Sequence, residues 1–195
     1  MIVIGGSLGG ADSVRRILEQ LPETLPVPVV VARHRYPESD DLLPQALQRA
    51  TSLPVIEVTD KEEILPGRAY VAPANYHLLV DDGCFSLSTD SKVNHARPSI
   101  DVLFESAADW IGSGVIGVVL SGATSDGAAG AREIQRHGGS VLVEHPDTAV
   151  CRIMPQAAID ATRTTGIHPV DEIPQVLLSL LERRESDPLD DGPRA

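Results

Sequence analysis

Near the N-terminus, Ile2-Val3-Ile4-Gly5-Gly6-Ser7-Leu8-Gly9-Gly10 places one serine in a glycine-flanked turn directly after a short apolar run. Gly5, Ser7 and Gly9 fit the G-x-S-x-G elbow, in which a strand ends, the chain reverses, and the serine hydroxyl is left exposed at the start of a helix. Small flanking residues suit such a turn because it needs positive φ angles and close backbone approach. A serine hydroxyl is a weak nucleophile until a base takes its proton, so the pattern calls for a histidine and for a carboxylate that fixes the imidazole. The same kind of turn can instead cradle phosphate on backbone N–H groups. The chain has neither the G-x-x-x-x-G-K-[ST] lysine nor the G-x-G-x-x-G spacing, which ranks a nucleotide site last.

The elements that must position these residues follow from the apolar pattern. Met1 to Ile4, Val27 to Ala32 and Val115 to Leu120 are apolar without alternation, as expected for strands covered on both faces of a parallel sheet. Helical periodicity follows in Asp12 to Gln20, with Asp12 or Ser13 available as N-cap, and again in Asp40 to Arg49, Ser99 to Ala108 and Gly127 to His137, the last stopped by Gly138-Gly139. Between Leu53 and Ser88 come short extended runs, and Asp81-Asp82-Gly83 joins the last two as a hairpin. The expected fold is α/β: a mostly parallel, doubly wound sheet in a three-layer α/β/α arrangement, with an antiparallel β-hairpin insertion. Asp171 to Arg184 reads as a final amphipathic helix closing a single domain over residues 1–184. Residues 185–195 are polar and Pro/Gly-containing, the composition of a disordered tail.

In open α/β sheets, sites gather beyond the carboxyl ends of the strands. Arg33-His34-Arg35 follows the second apolar run, and Ser121-Gly122-Ala123-Thr124-Ser125-Asp126-Gly127 follows the third. His34 and Asp126 therefore belong on the same sheet edge as Ser7, giving a candidate Ser7-His34-Asp126 triad whose chain order differs from that of the α/β-hydrolases. Plainer roles are a surface histidine for His34 and an N-cap on the following helix for Asp126, the latter compatible with catalysis. His77, His95, His137, His145 and His168 lack this context, and no pair has zincin spacing, so no metal is expected.

At 195 residues the chain can bury one sizeable core, built from Val, Ile, Leu and Ala because it holds only two Phe, one Trp and three Tyr. A net charge of −12 without a Lys/Arg stripe argues against nucleic acid. Cys84 and Cys151 form neither a zinc nor a disulfide pattern, which fits a reducing cytoplasm. No apolar run approaches the roughly 20 residues of a membrane span, and residues 1–20 lack the basic n-region and long apolar core expected of a signal peptide.

Six segments in order carry a family resemblance: Ile4 to Gly10, Val31 to His34, Tyr70 to Leu79, Arg97 to Phe104, Leu120 to Ala128, and Met154-Pro155. With them the chain resembles the catalytic domain of the CheB-type protein-glutamate methylesterases from Ile2 to about Leu181. The resemblance implies hydrolysis of γ-glutamyl methyl esters on methylated chemoreceptor cytoplasmic domains or similar signalling proteins, and in some members glutamine deamidation. It implies Ser7 as nucleophile, His34 as base and Asp126 as its partner, with no cofactor. Two departures stand out. Family members commonly carry Met-Gly where Ala123-Thr124 stands, and the first strand begins at residue 2, so a standalone form without a receiver domain is expected. An inactive scaffold binding receptor or signalling partners is the alternative, with Ala123-Thr124 as its support. Arg33, Arg35, Arg97 and Arg152 are expected as exposed charge, able to steer an acidic receptor surface.

Overall fold

The computed structural model describes residues 1–35 and 42–186. Its elements in chain order are β1 (Ile2–Gly6), α1 (Gly10–Glu19), β2 (Val29–Arg33), α2 (Leu43–Gln48), β3 (Val55–Glu57), β4 (Ala69–Val71), β5 (His77–Asp81), β6 (Cys84–Ser88), α3 (Ile100–Ile111), β7 (Ile116–Val119), α4 (Ala128–Arg136), β8 (Ser140–Glu144), α5 (Ile153–Ala161), β9 (Gly166–His168) and α6 (Ile173–Ser186). Seven strands form one parallel sheet in the order β3-β4-β2-β1-β7-β8-β9, and β5 and β6 pair separately as an antiparallel hairpin. Chain progression reverses direction across β1, which lies between β2 and β7. That is the switch point where crevices open in such sheets.

The unalternating apolar runs are explained by two cores. Ile2 and Ile4 face Val14, Ile17 and Leu18 of α1 and Leu177 of α6, while Val3 faces the layer of Leu103 and Phe104 from α3 and Ile134 from α4. Each fully buried aliphatic side chain contributes roughly 1.5–3 kcal/mol relative to exposure. The hairpin is fastened to the sheet by the edge-to-face pair of Tyr70 and Phe85, with ring centroids 4.8 Å apart.

Several boundaries differ from the sequence expectation for physical reasons. Helix α1 starts at Gly10, with Gly9 at a φ of 83° in the N-cap position; Asp12 instead pairs with Arg15 on the surface, and Ser13 is buried against Glu144. Strands β3 and β4 join the main sheet in parallel, so only β5 and β6 form the antiparallel insertion. The sequence reading did not signal β8, α5 and β9. Helix α6 runs on to Ser186. Residues 40 and 41 of the expected second helix and residues 187–195 of the expected tail lie outside the described residues. Among the described residues no helix is long and apolar enough to cross a membrane.

The approach of α3 to β1 matters most for the site. A Cβ on Gly5 would lie 2.3 Å from Cγ2 of Ile100, the first residue of α3. Glycine thus lets the N-terminus of α3 press against the strand that carries Ser7. Gly5→Ala is expected to lower stability by about 1–3 kcal/mol through overpacking, measured as a shift of the urea midpoint at unchanged slope.

Candidate active site

Ser7 is the first residue past β1 and His34 the first past β2. The parallel register pairs Gly6 with Arg33, so the two candidates stand side by side one step beyond that pair. The His34 N–H donates to the Gly6 carbonyl at 3.2 Å, prolonging the ladder to the point where the side chains leave it. On the other flank of β1, the Ser7 N–H donates to the Ser121 carbonyl at 2.9 Å, which joins the elbow to the loop that carries Asp126. Ser7, His34 and Asp126 therefore come from the carboxyl ends of three adjacent strands, β1, β2 and β7.

His34 Nε2 lies 2.7 Å from Asp126 Oδ2, with the Asp126 side chain completely buried and the His34 side chain 16% exposed. Asp126 receives four further hydrogen bonds. Oδ2 accepts from Ile100 N–H at 2.8 Å, and Oδ1 accepts from Ser99 Oγ at 2.8 Å, Asn94 Nδ2 at 3.1 Å and Asp101 N–H at 3.1 Å. Burial, the largest single influence, pushes the carboxyl up. The hydrogen bonds from His34, Ile100 N–H, Asn94 and Asp101 N–H together outweigh it and bring Asp126 down to about 2. An ionised carboxylate only accepts, so the proton shared with His34 belongs to Nε2 and neutral His34 keeps its lone pair on Nδ1. This is the reverse of the chymotrypsin arrangement, in which Nδ1–H faces the aspartate.

The expected N-cap role of Asp126 is corrected in an instructive way. The residue before α4 in the cap position is Gly127, and Asp126 turns its carboxylate onto the start of α3. In exchange Asp101, in the first turn of α3, accepts from Gly127 N–H and Gly130 N–H at the start of α4, both at 2.8 Å. Each aspartate caps the other's helix. The Asn94 amide spans the two, donating to Asp101 Oδ2 at 2.8 Å as well as to Asp126. Burial first, and then the neighbouring Asp126 charge, raise the Asp101 carboxyl, offset in part by Gly130 N–H and Gly127 N–H.

Sequence reasoning missed Asn94, Ser99 and Asp101 as parts of this site; an Asp one residue inside a helix start and an Asn in a turn were the available signals. His77 is also structural. Its Nδ1 accepts Ser99 N–H at 3.3 Å, which leaves Nε2–H to donate to the Ser91 carbonyl at 3.1 Å. At the departing Ala123-Thr124, Ala123 is exposed and Thr124 Oγ1 accepts Asp126 N–H at 3.3 Å. Of the four arginines expected as exposed charge, Arg152 alone is. Arg35 is tucked in, with its side chain 5% exposed and bonded to Glu57 and the Ala72 carbonyl, and Arg97 holds Asn75, Thr89 O and Asp90 O together.

Two measurements check this geometry. Nitrogen chemical shifts of neutral His34 are expected to report the proton on Nε2; a proton on Nδ1 would contradict the inferred tautomer. Because the folded value of Asp126 lies below its ordinary 3.8, its ionic contribution to stability is fully present above 3.8 and is lost as pH falls through about 2. Asp101 has the opposite sign: its ionisation is penalised in the folded state, and acid relieves that penalty. The stability gap between the wild type and Asp126→Asn, from urea unfolding, is therefore expected to narrow as pH falls from about 4 toward about 2.

Comparison with known proteins agrees with the fold. The sequence profile of the CheB methylesterase family matches residues 2–177. A putative protein-glutamate methylesterase/protein-glutamine glutaminase of Leptospira interrogans is 41% identical over 180 residues, covering 92% of this chain and 93% of that protein. The protein-glutamate methylesterase/protein-glutamine glutaminase of Thermotoga maritima is 35% identical over 185 residues, covering 93% of this chain and 54% of that protein. The crystal structure of the Thermotoga maritima CheB methylesterase catalytic domain superposes with a TM-score of 0.88 at 35% identity, covering 92% of this chain and 97% of that one. The chain thus belongs to the CheB methylesterase family of carboxylic ester hydrolases.

Proposed function

We propose that this protein hydrolyses γ-methyl esters of glutamyl side chains, with Ser7 as nucleophile, His34 as general base and acid, and Asp126 as the anion that orients the imidazole. The observation that carries this reading is the 2.7 Å contact of His34 with the buried Asp126, one strand away from Ser7 in matching register. Ser7 Oγ attacks the ester carbonyl carbon while its proton passes to His34 Nδ1. The tetrahedral adduct then collapses, and the methoxy group leaves as methanol with that proton. Water attacks the glutamyl-Ser7 ester, again giving a proton to Nδ1. The C–Oγ bond breaks, the proton returns to Oγ, and a free glutamate side chain departs. Throughout, Asp126 stabilises the imidazolium and stays ionised. The same acyl-enzyme serves deamidation of glutamine, with ammonia leaving in place of methanol.

The substrate class is a protein surface such as the helical bundle of a methylated chemoreceptor in the cytoplasm. Leu8, Val150 and Ile153 are 58%, 73% and 52% exposed, and Val150 sits against Gly9 of the elbow. Apolar side chains left in water beside a reactive serine suit the flank of a partner helix better than a small polar ester.

Ser7→Ala is expected to lower methanol release from a methyl-esterified receptor cytoplasmic domain by about 10³-fold or more. An unchanged rate would remove Ser7 from the mechanism. Absence of methanol release from the wild type across a panel of such domains would favour the scaffold alternative.

A further inference from the structure

Ser121 is fully buried, two positions past the end of β7, and its polar atoms are all engaged. Its carbonyl accepts Ser7 N–H at 2.9 Å, and its hydroxyl donates to the Leu8 carbonyl at 2.7 Å. The same Oγ accepts Cys151 N–H at 2.8 Å, from the loop between β8 and α5. Its own N–H donates to Glu144 Oε2 at 2.8 Å, and that carboxylate, at the end of β8 and 2% exposed, also accepts from Ser13 Oγ of α1 at 3.2 Å. Two of these bonds straddle the elbow, one on the peptide group before the Ser7 side chain and one on the carbonyl after Leu8. The others tie Ser121 to the strand, loop and helix that surround the turn.

We propose that Ser121, held by Glu144, is a positioning residue that sets the aim of the Ser7 hydroxyl. This rests on Ser7 being the nucleophile. Within the turn a single backbone bond, Gly10 N–H to the Ser7 carbonyl at 2.9 Å, closes the chain reversal. Gly9 has a left-handed φ, and no side chain caps the start of α1. A glycine-rich turn of this kind has other accessible backbone conformations. The Ser121 hydroxyl removes that freedom by binding Leu8 and Cys151 at once. A buried hydroxyl with both partners in place is stable, whereas loss of the hydroxyl leaves the Leu8 carbonyl and Cys151 N–H unpaired and the turn free to relax. Relaxation displaces the attacking atom, and labelling of Ser7 by a small fluorophosphonate reads that displacement without any contribution from the surface that Leu8 and Val150 offer a partner.

The expected result for Ser121→Ala is a fall in kcat of about 10–100-fold, larger than any accompanying rise in KM, and a parallel fall in the rate at which a fluorophosphonate labels Ser7. Ser121→Thr, which restores the hydroxyl, should recover most of both rates. Ser121→Cys keeps the side-chain volume with a much weaker donor. It should show the same loss as Ser121→Ala, and it stands in if the alanine variant does not fold. Wild-type labelling and kcat in a folded Ser121→Ala or Ser121→Cys protein would overturn the proposal, as would a loss expressed wholly in KM. Ser7→Ala assayed in parallel separates the two readings. If it keeps activity, the nucleophile assignment has failed; if it is inactive while Ser121→Ala is not, only the positioning role has.

Discussion

Asp126 can be buried as an anion because five donors surround it: His34, Asn94, Ser99 Oγ, and the backbone N–H groups of Ile100 and Asp101. Taking a carboxylate out of water costs several kcal/mol, and only a full set of hydrogen bonds offsets that. The rest of the site is arranged around this requirement. Two of the five donors are N–H groups in the first turn of α3, which no residue of that turn could otherwise satisfy, and the partial positive charge of a helix start favours an anion there.

Bringing α3 to Asp126 forces close packing elsewhere. Ile100 fits only because Gly5 and Gly127 have no side chains: a Cβ on either would come within 3 Å of Ile100 Cγ2. The exchange of caps, with Asp101 serving α4 while Asp126 serves α3, makes the two helices a unit whose junction is the site itself. Asn94 then spans two carboxylates that would repel if they met directly. Stability and the orientation of His34 consequently draw on the same hydrogen bonds.

Much of this was legible in the sequence. The apolar runs at residues 1–4, 27–32 and 115–120 read as doubly covered strands, and the glycine-flanked Ser7 as a residue at the sheet edge. Once the strands were parallel, Ser7, His34 and Asp126 were bound to share that edge, because parallel strands carry the residues that follow them to one side. Other features were hidden because they depend on long-range pairing. Local periodicity does not say whether Val55–Glu57 and Ala69–Val71 pair parallel or antiparallel; their neighbours in space decide that. The short strand Gly166–His168 and helix α5, which carries a proline and lacks a side-chain cap, send weak local signals. Asp126 reads as a cap on its own helix until the geometry of α3 is known, and Arg35 reads as surface charge until Glu57 is found beside it. Ser121 and Glu144 sit at the ends of apolar strands, where a polar residue looks like an ordinary strand terminus.

The outermost strands of the large sheet, β3 and β9, are three residues each. An edge that short offers an incoming strand few unpaired backbone groups and cannot template a long ladder. Association by strand addition is therefore disfavoured on both flanks. The rim where the central strands end, with its loops from four different connections, is left as the surface on which a visiting protein can gain purchase without lengthening the sheet.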